Sequence, residues 1–233
     1  MSEALKLDTS IRRRGLIILL LTILLIVLEI AGILPGITSP IELLELSARD
    51  MSFRLRGQRA PAEEIIIVAI DDESLNWVGE QWPWSRDRIA EIVNWLNDAG
   101  AAMIALDIFL FDEDPNPESD QALIQALTNA IMSISVNQIY RIGSIITHKP
   151  PLPIYQEALD GFGITEIDRD DDAIVRGITS YKTFNTFEGE ETYFHWSFEV
   201  VRLYKDIAPP EDPTPQGVLF DGNYIPSTKD AYY

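Results

Sequence analysis

The chain of 233 residues contains no cysteine. That excludes a disulfide framework and any zinc site built on thiolates. Histidine is nearly as scarce: His148 and His195 are the only two, and neither lies in a zincin or nucleophile motif. No glycine-rich phosphate loop follows any apolar run. Positive charge is short as well, with 18 Lys and Arg against 37 Asp and Glu and a net charge of -19. A body that acidic repels phosphate backbones, which excludes nucleic acid as a partner. The deficit is uneven. Residues 1–14 hold four basic residues, Lys6 and Arg12 to Arg14, against Glu3 and Asp8, so the remainder holds 14 basic against 35 acidic residues, a balance of -21.

Apolar residues are plentiful, at 46%, and their longest run is residues 15–34. Fifteen of those 20 residues are Leu, Ile or Val, and Glu29 is the only ionisable one. About 20 residues span a bilayer core. At about -0.3 to -0.6 kcal/mol each, the fifteen contribute roughly -4 to -9 kcal/mol to insertion, against about +3 kcal/mol for a central acid. Insertion wins, and the run is long for a cleaved signal peptide. The spacing predicts a transmembrane anchor over residues 15–34. Arg12 to Arg14 abut its start, whereas the first basic residue after it is Arg49. Residues 1–14 are therefore expected in the cytoplasm and residues 35 onward outside it. Glu29 is either a tolerated off-centre acid or a helix-pairing contact in a homodimer.

Residues 35–60 read as a juxtamembrane helix. Ser39 is a capping residue, Pro40 suits the first turn and Glu42 completes a capping box. Ile41, Leu44, Ala48, Met51 and Leu55 continue one stripe, and Gly57 and Pro61 end it. Residues 61–233 form the extracytoplasmic domain. Residues 65–70 and 101–106 are short apolar runs expected as strands, each ending in acid. Between them Ser85 caps a helix with Asp87 in its first turn and Ile89, Ile92, Val93 and Leu96 on one face; Gly100 closes it. Two strands joined by a helix need a crossover and lie parallel. Residues 119–130 read as a further helix, 131–136 as a third strand and 154–159 as a short helix. Residues 163–168 and 173–184 read as a hairpin, and 193–204 as the last helix. The fold class expected is α/β, with an N-terminal transmembrane helix, a largely parallel sheet and a later hairpin.

Ligands of open parallel sheets sit at the carboxyl ends of the strands. Asp71, Asp72 and Asp107 fall on that edge. The loop Trp82-Pro83-Trp84-Ser85-Arg86 brings two indoles and a cation. These residues are the candidate ligand site, although capped strand ends, ion pairs to Arg86 or Arg88 and an apolar cover account for them too. The same carboxylates could hold magnesium in a hydrolase, but the order Asp-Asp-Glu-Ser fits no phosphoryl-transfer signature. Asp168, Asp170 and Asp172 alternate as in a calcium loop. Ala173 then stands where such a loop needs glycine, and Thr179 where it needs glutamate. No catalytic residue, metal or cofactor is expected.

In order, RDMSFRLRG, IIIVAIDDESL, GEQWPWSR, GAAMIALDIFL and an acidic loop resemble the CHASE-type extracellular sensor domain of subtype two. Asp120-Gln121-Ala122-Leu123 and the turn from Asp170 to Arg176 add to the likeness, which covers residues 45–205. The resemblance implies a sensory domain that binds an unidentified stimulus outside the cytoplasm. It also implies a receptor that returns through the membrane to an adenylate or guanylate cyclase, a histidine kinase or a Ser/Thr kinase. Asp71, Asp72, Ser74, Trp82, Pro83, Trp84, Arg86 and Asp107 match its signature stretches. Ala173 departs from a glycine usual there. With the output domain and the last part of the sensor missing, the chain is expected to be a receptor fragment or a shortened protein. An envelope anchor without a ligand is the blander alternative.

Overall fold

The computed structural model describes residues 2–31, 39–142, 145–167, 169–170, 172–186, 189–210, 213–214 and 217–226. The chain divides into two units, Met1–Val68 and Ala69–Tyr233.

The first unit holds two helices. Helix α1, Ser2–Ala31, contains the start of the long apolar run. Within it that run covers residues 15–31, and 17 residues of helix rise about 25 Å, short of the ~30 Å of a bilayer core. Among the described residues no helix is long and apolar enough to cross a membrane. The end of the predicted anchor, residues 32–34, and the start of the predicted juxtamembrane helix, residues 35–38, lie outside the described residues. Helix α2, Pro40–Arg56, starts and stops where its sequence signals stand. Ser39 Oγ accepts from the Glu42 amide at 3.1 Å, and Gly57 ends the helix at φ +71 while its amide donates to Phe53. The Arg56 guanidinium lies over the Phe53 ring, 4.6 Å from its centroid.

Residues 65–70 are not the expected strand. They run without regular structure, with Ile65, Ile66 and Ile67 between 71 and 86% exposed. β-branched, apolar character makes a segment able to pair, but a ladder needs a partner edge. Directly after it Asp71 nucleates a helix, so the acidic pair belongs to a cap rather than to a strand end.

The second unit begins with that helix, α3 (Asp72–Val78), followed by α4 (Arg86–Asp98), β1 (Ile104–Ala105) and α5 (Pro117–Thr128). Next come β2 (Ser133–Ile142), β3 (Ile145–Lys149), α6 (Pro153–Gln156) and β4 (Gly161–Ile164). The chain closes with β5 (Tyr181–Thr186), β6 (Gly189–Phe194), α7 (Trp196–Tyr204), β7 (Gly217–Phe220) and β8 (Asn223–Pro226). The fold is mixed α/β, a parallel sheet with antiparallel hairpins. β2 is central. Its first half pairs in parallel with β1, Ile104 opposite Ser133, and with β4, Val136 opposite Gly163. Its second half pairs antiparallel with β3, Ile139 opposite His148. The parallel character expected of the sheet is therefore present, with α5 as the expected crossover between β1 and β2, whereas the crossover expected over α4 has no strand at residues 65–70 to start from.

Two more expectations are corrected. β4 and β5 do not form a hairpin: β4 joins β2, and β5 pairs with β6, Phe184 opposite Glu191. Tyr193 and Phe194, expected in the last helix, end β6, and α7 starts at Trp196 behind the cap His195. Hairpin pairing is decided by which edge is near, and the acidic turn between β4 and β5 does not decide it. The first core gathers Ile89 and Val93 of α4, Leu123 and Leu127 of α5, Leu106, Leu110, Trp84 and Tyr155. A second, smaller core gathers Tyr181, Val218 and Phe220.

Candidate functional site

Asp71, Asp72 and Ser74 lie at the start of α3. The Ser74 amide donates to Asp71 Oδ1 at 2.9 Å, and the Asp71 amide donates to Ser74 Oγ at 3.4 Å, a reciprocal capping box. The Ser74 amide first, and then the Ser74 hydroxyl, which donates to Asp71 Oδ1 at 2.8 Å, hold the Asp71 carboxyl below its usual range. The cap explains the Asp-x-x-Ser spacing without a ligand, while Asp71 and Asp72 remain exposed.

The Trp82–Ser85 loop is fixed from inside. The Trp82–Pro83 peptide is cis. Trp84 is buried in the first core and its indole N–H donates to the Glu80 carbonyl at 3.3 Å. Trp82, with its ring 6.1 Å from that of Trp84, stays 44% exposed. One indole packs and the other is left at the surface. Ser85 stands at the N-cap of α4 as expected but its side chain makes no capping bond; its hydroxyl instead, ahead of that of Ser119, lowers the pKa of Asp87.

Arg86 carries the loop to the end of β1. Its Nη2 donates to the Phe109 carbonyl at 3.1 Å, two residues past the exposed Asp107. Its own amide donates to Asp114 Oδ2 at 2.9 Å. The Asp114 amide donates in turn to both oxygens of Asp120, at 3.1 and 3.0 Å. Asp120, nearly buried, accepts a very short bond from the hydroxyl of the wholly buried Tyr155. Burial first, and then Asp120, push the Tyr155 phenol far above its usual range, with Arg86 opposing. Arg86 thus ties together the tryptophan loop, the chain after β1 and the acidic loop. Arg88 is held apart, on Glu80 and Glu91, both at 3.1 Å.

Sequence reasoning left Asp114 and Tyr155 unmarked, and it named Asp120 in the likeness without placing it at the site. A signal existed for Asp120, which precedes Leu123 by three and Leu127 by seven and so lies on the inward stripe of α5. It also missed that β2 is buried on both faces. Ser133, Ser135 and Asn137 are as buried as Ile134 and Val136, and Ser135 Oγ donates to the Ile108 carbonyl at 3.1 Å.

Among the described residues no three His, Asp or Glu side chains converge to hold a metal ion. Of the alternating acids, Asp168 lies outside the described residues. Asp170 and Asp172 accept from Arg176 at 2.9 and 2.7 Å. The guanidinium holds the Asp172 carboxyl at about 2. Ala173 sits in the left-handed region, φ +63, where the resemblance places glycine.

One family model, described as the CHASE2 domain, matches residues 18–231, well beyond the stretch that carried the resemblance. No curated protein and no solved structure matches the chain. CHASE2 domains are sensory extracellular domains of signalling proteins and are not themselves catalytic. With a match reaching from the apolar run to the last hairpin, this chain belongs to the CHASE2 domain family.

Proposed function

We propose that this chain is the extracytoplasmic input domain of a membrane-bound receptor whose output is a cyclase or a kinase. The observation that carries this reading is the reach of the family match, which starts inside the apolar run and continues through the α/β unit. Residues 15–34 serve as the anchor, with residues 1–14 in the cytoplasm, as the flanking charges favour. The stimulus is a small molecule received beside Trp82, Arg86 and Asp107, with Asp71, Asp72, Ser74 and Trp84 bordering. The exposed Trp82 indole and the Arg86 guanidinium at the end of β1 support that location. In a homodimer, binding there shifts α2 relative to the anchor.

The absence of cysteine makes the topology testable, because any introduced thiol is unique. In intact cells an impermeant thiol reagent should label Asn76→Cys and spare Ser2→Cys. The opposite pattern would overturn the orientation. For the stimulus, the full chain is screened by thermal shift against small-molecule panels. A compound whose effect survives unchanged in both Trp82→Phe and Arg86→Ala removes those residues from the site.

A further inference from the structure

One cluster outside the candidate crevice joins several strands around a titratable ring. His148 on β3 has a side chain only 10% exposed. Its ring lies 5.0 Å from that of Phe184 on β5 and 4.5 Å from that of Tyr193 on β6. Nδ1 is 3.4 Å from Asn137 Nδ2 on β2. Nε2 is 3.6 Å from Glu191 Oε2, which also accepts from the Tyr193 hydroxyl at 2.6 Å. Asn137 is fully buried, and its Oδ1 has no hydrogen-bond partner. A neutral ring suits this site: Nδ1 offers a lone pair to the Asn137 amide, and Nε2–H points towards Glu191. A second proton, on Nδ1, would face the Asn137 N–H donor and set donor against donor.

The charged surroundings are few. From β6 the ring faces Glu191 and the Tyr193 phenol. From β5 the same face carries Phe184 and Lys182, and Lys182 is paired with Glu166. β2 contributes the uncharged Asn137, and β4 contributes Phe162, 5.9 Å from the Tyr193 ring. Next to His148 on β3, Lys149 is paired with Asp112.

We propose that His148 is a proton-binding site that latches the β5–β6 hairpin to the sheet, holding it while neutral and releasing it when protonated. Burial holds the imidazole below its ordinary 6.5, with Glu191 opposing. A freed hairpin exposes the ring to water and restores the ordinary value. The released form therefore binds the proton more tightly, so the latch is at full strength above pH 6.5 and weakens as pH falls below it. The proton is then a stimulus of this domain, a use that rests on the sensory reading, although the latch itself does not.

The test is hydrogen exchange of the β5–β6 amides in the full chain between pH 7.5 and 5.5, corrected at each pH for the intrinsic rate. The wild-type hairpin is expected to open more as pH falls, by up to about tenfold per pH unit below 6.5. His148→Gln should abolish that dependence. Glu191→Gln, which removes the charge favouring the imidazolium in the latched form, should leave the onset near 6.5 and enlarge the rise in opening below it. His195 also lies next to the hairpin and is also held low by burial. His195→Asn keeps an N-cap acceptor and should retain the wild-type response. A flat wild-type profile overturns the proposal, as does a response that survives His148→Gln or vanishes in His195→Asn. If His148→Gln does not fold, the extent of the response in Glu191→Gln decides: a larger rise in opening by pH 5.5 than in the wild type supports the latch, and an unchanged rise overturns it. Thiol labelling reads orientation and not hairpin opening, so failure here and failure of the receptor reading remain distinct.

Discussion

Tyr155 is wholly buried and gives its hydroxyl proton to Asp120, which also takes the Asp114 amide. Tyr155→Phe leaves a nearly buried carboxylate one donor short, which costs about 1–3 kcal/mol. A urea titration of the full chain should show a lower midpoint at an unchanged slope. Ala173 presents the opposite case. It holds φ +63 in a tight turn whose ends meet through the Asp170 amide and the Ile174 carbonyl, 3.0 Å apart. A non-glycine residue there costs about 1–2 kcal/mol, and glycine gives back part of the relief through its freer unfolded state. Ala173→Gly should therefore raise stability by ~0.5–1 kcal/mol, seen as a higher urea midpoint.

Helices and strands differ in what holds them. β4 approaches α7 so closely that a Cβ on Gly163 would stand 2.6 Å from Trp196 Cα and 2.8 Å from its amide nitrogen. Backbone cannot yield as a side-chain tip can, so Gly163→Ala should cost about 1–3 kcal/mol by overpacking and lower the melting temperature accordingly. The same contrast explains what the sequence made legible. α2 and α4 were readable because their signals are local: Ser39, Pro40 and Gly57 for one, Ser85 and the apolar stripe for the other. Strand pairing is not local. Residues 65–70 have the composition of a strand and no ladder, and residues 161–164 cross to β2 instead of turning back on β5. The hairpin of β7 and β8, behind a proline-rich stretch, gave no periodicity to read. In the candidate site, Trp84 and Arg86 stood out from one short motif. Their anchor did not, because Asp120 and Tyr155 are 35 residues apart and only the fold joins them.

For the whole molecule, acid should act in two stages. His148 and His195 both lie below 6.5 through burial, so stability falls as pH drops through that value. Asp172, held at about 2 by Arg176 against an ordinary 3.8, contributes stability above 3.8 that is lost on the way down to about 2. Asp172→Asn lacks that titration, while the self-repulsion of an acidic chain is nearly common to both proteins. The two stability curves should differ at pH 7 and converge between pH 4 and pH 2. Denaturant midpoints taken across that range give the answer. Carboxylates also flank the exposed run at residues 65–70. Six uncharged, mostly β-branched residues without a ladder can template copies of themselves into stacked fibrils. Glu63 and Glu64 before the run, and Asp71 and Asp72 after it, act as gatekeepers by keeping such copies apart. Neutralising those carboxylates by substitution weakens the guard while the core still stands. Loss of material in such a variant begins as fibre seeding from this connector, ahead of any melting of the core.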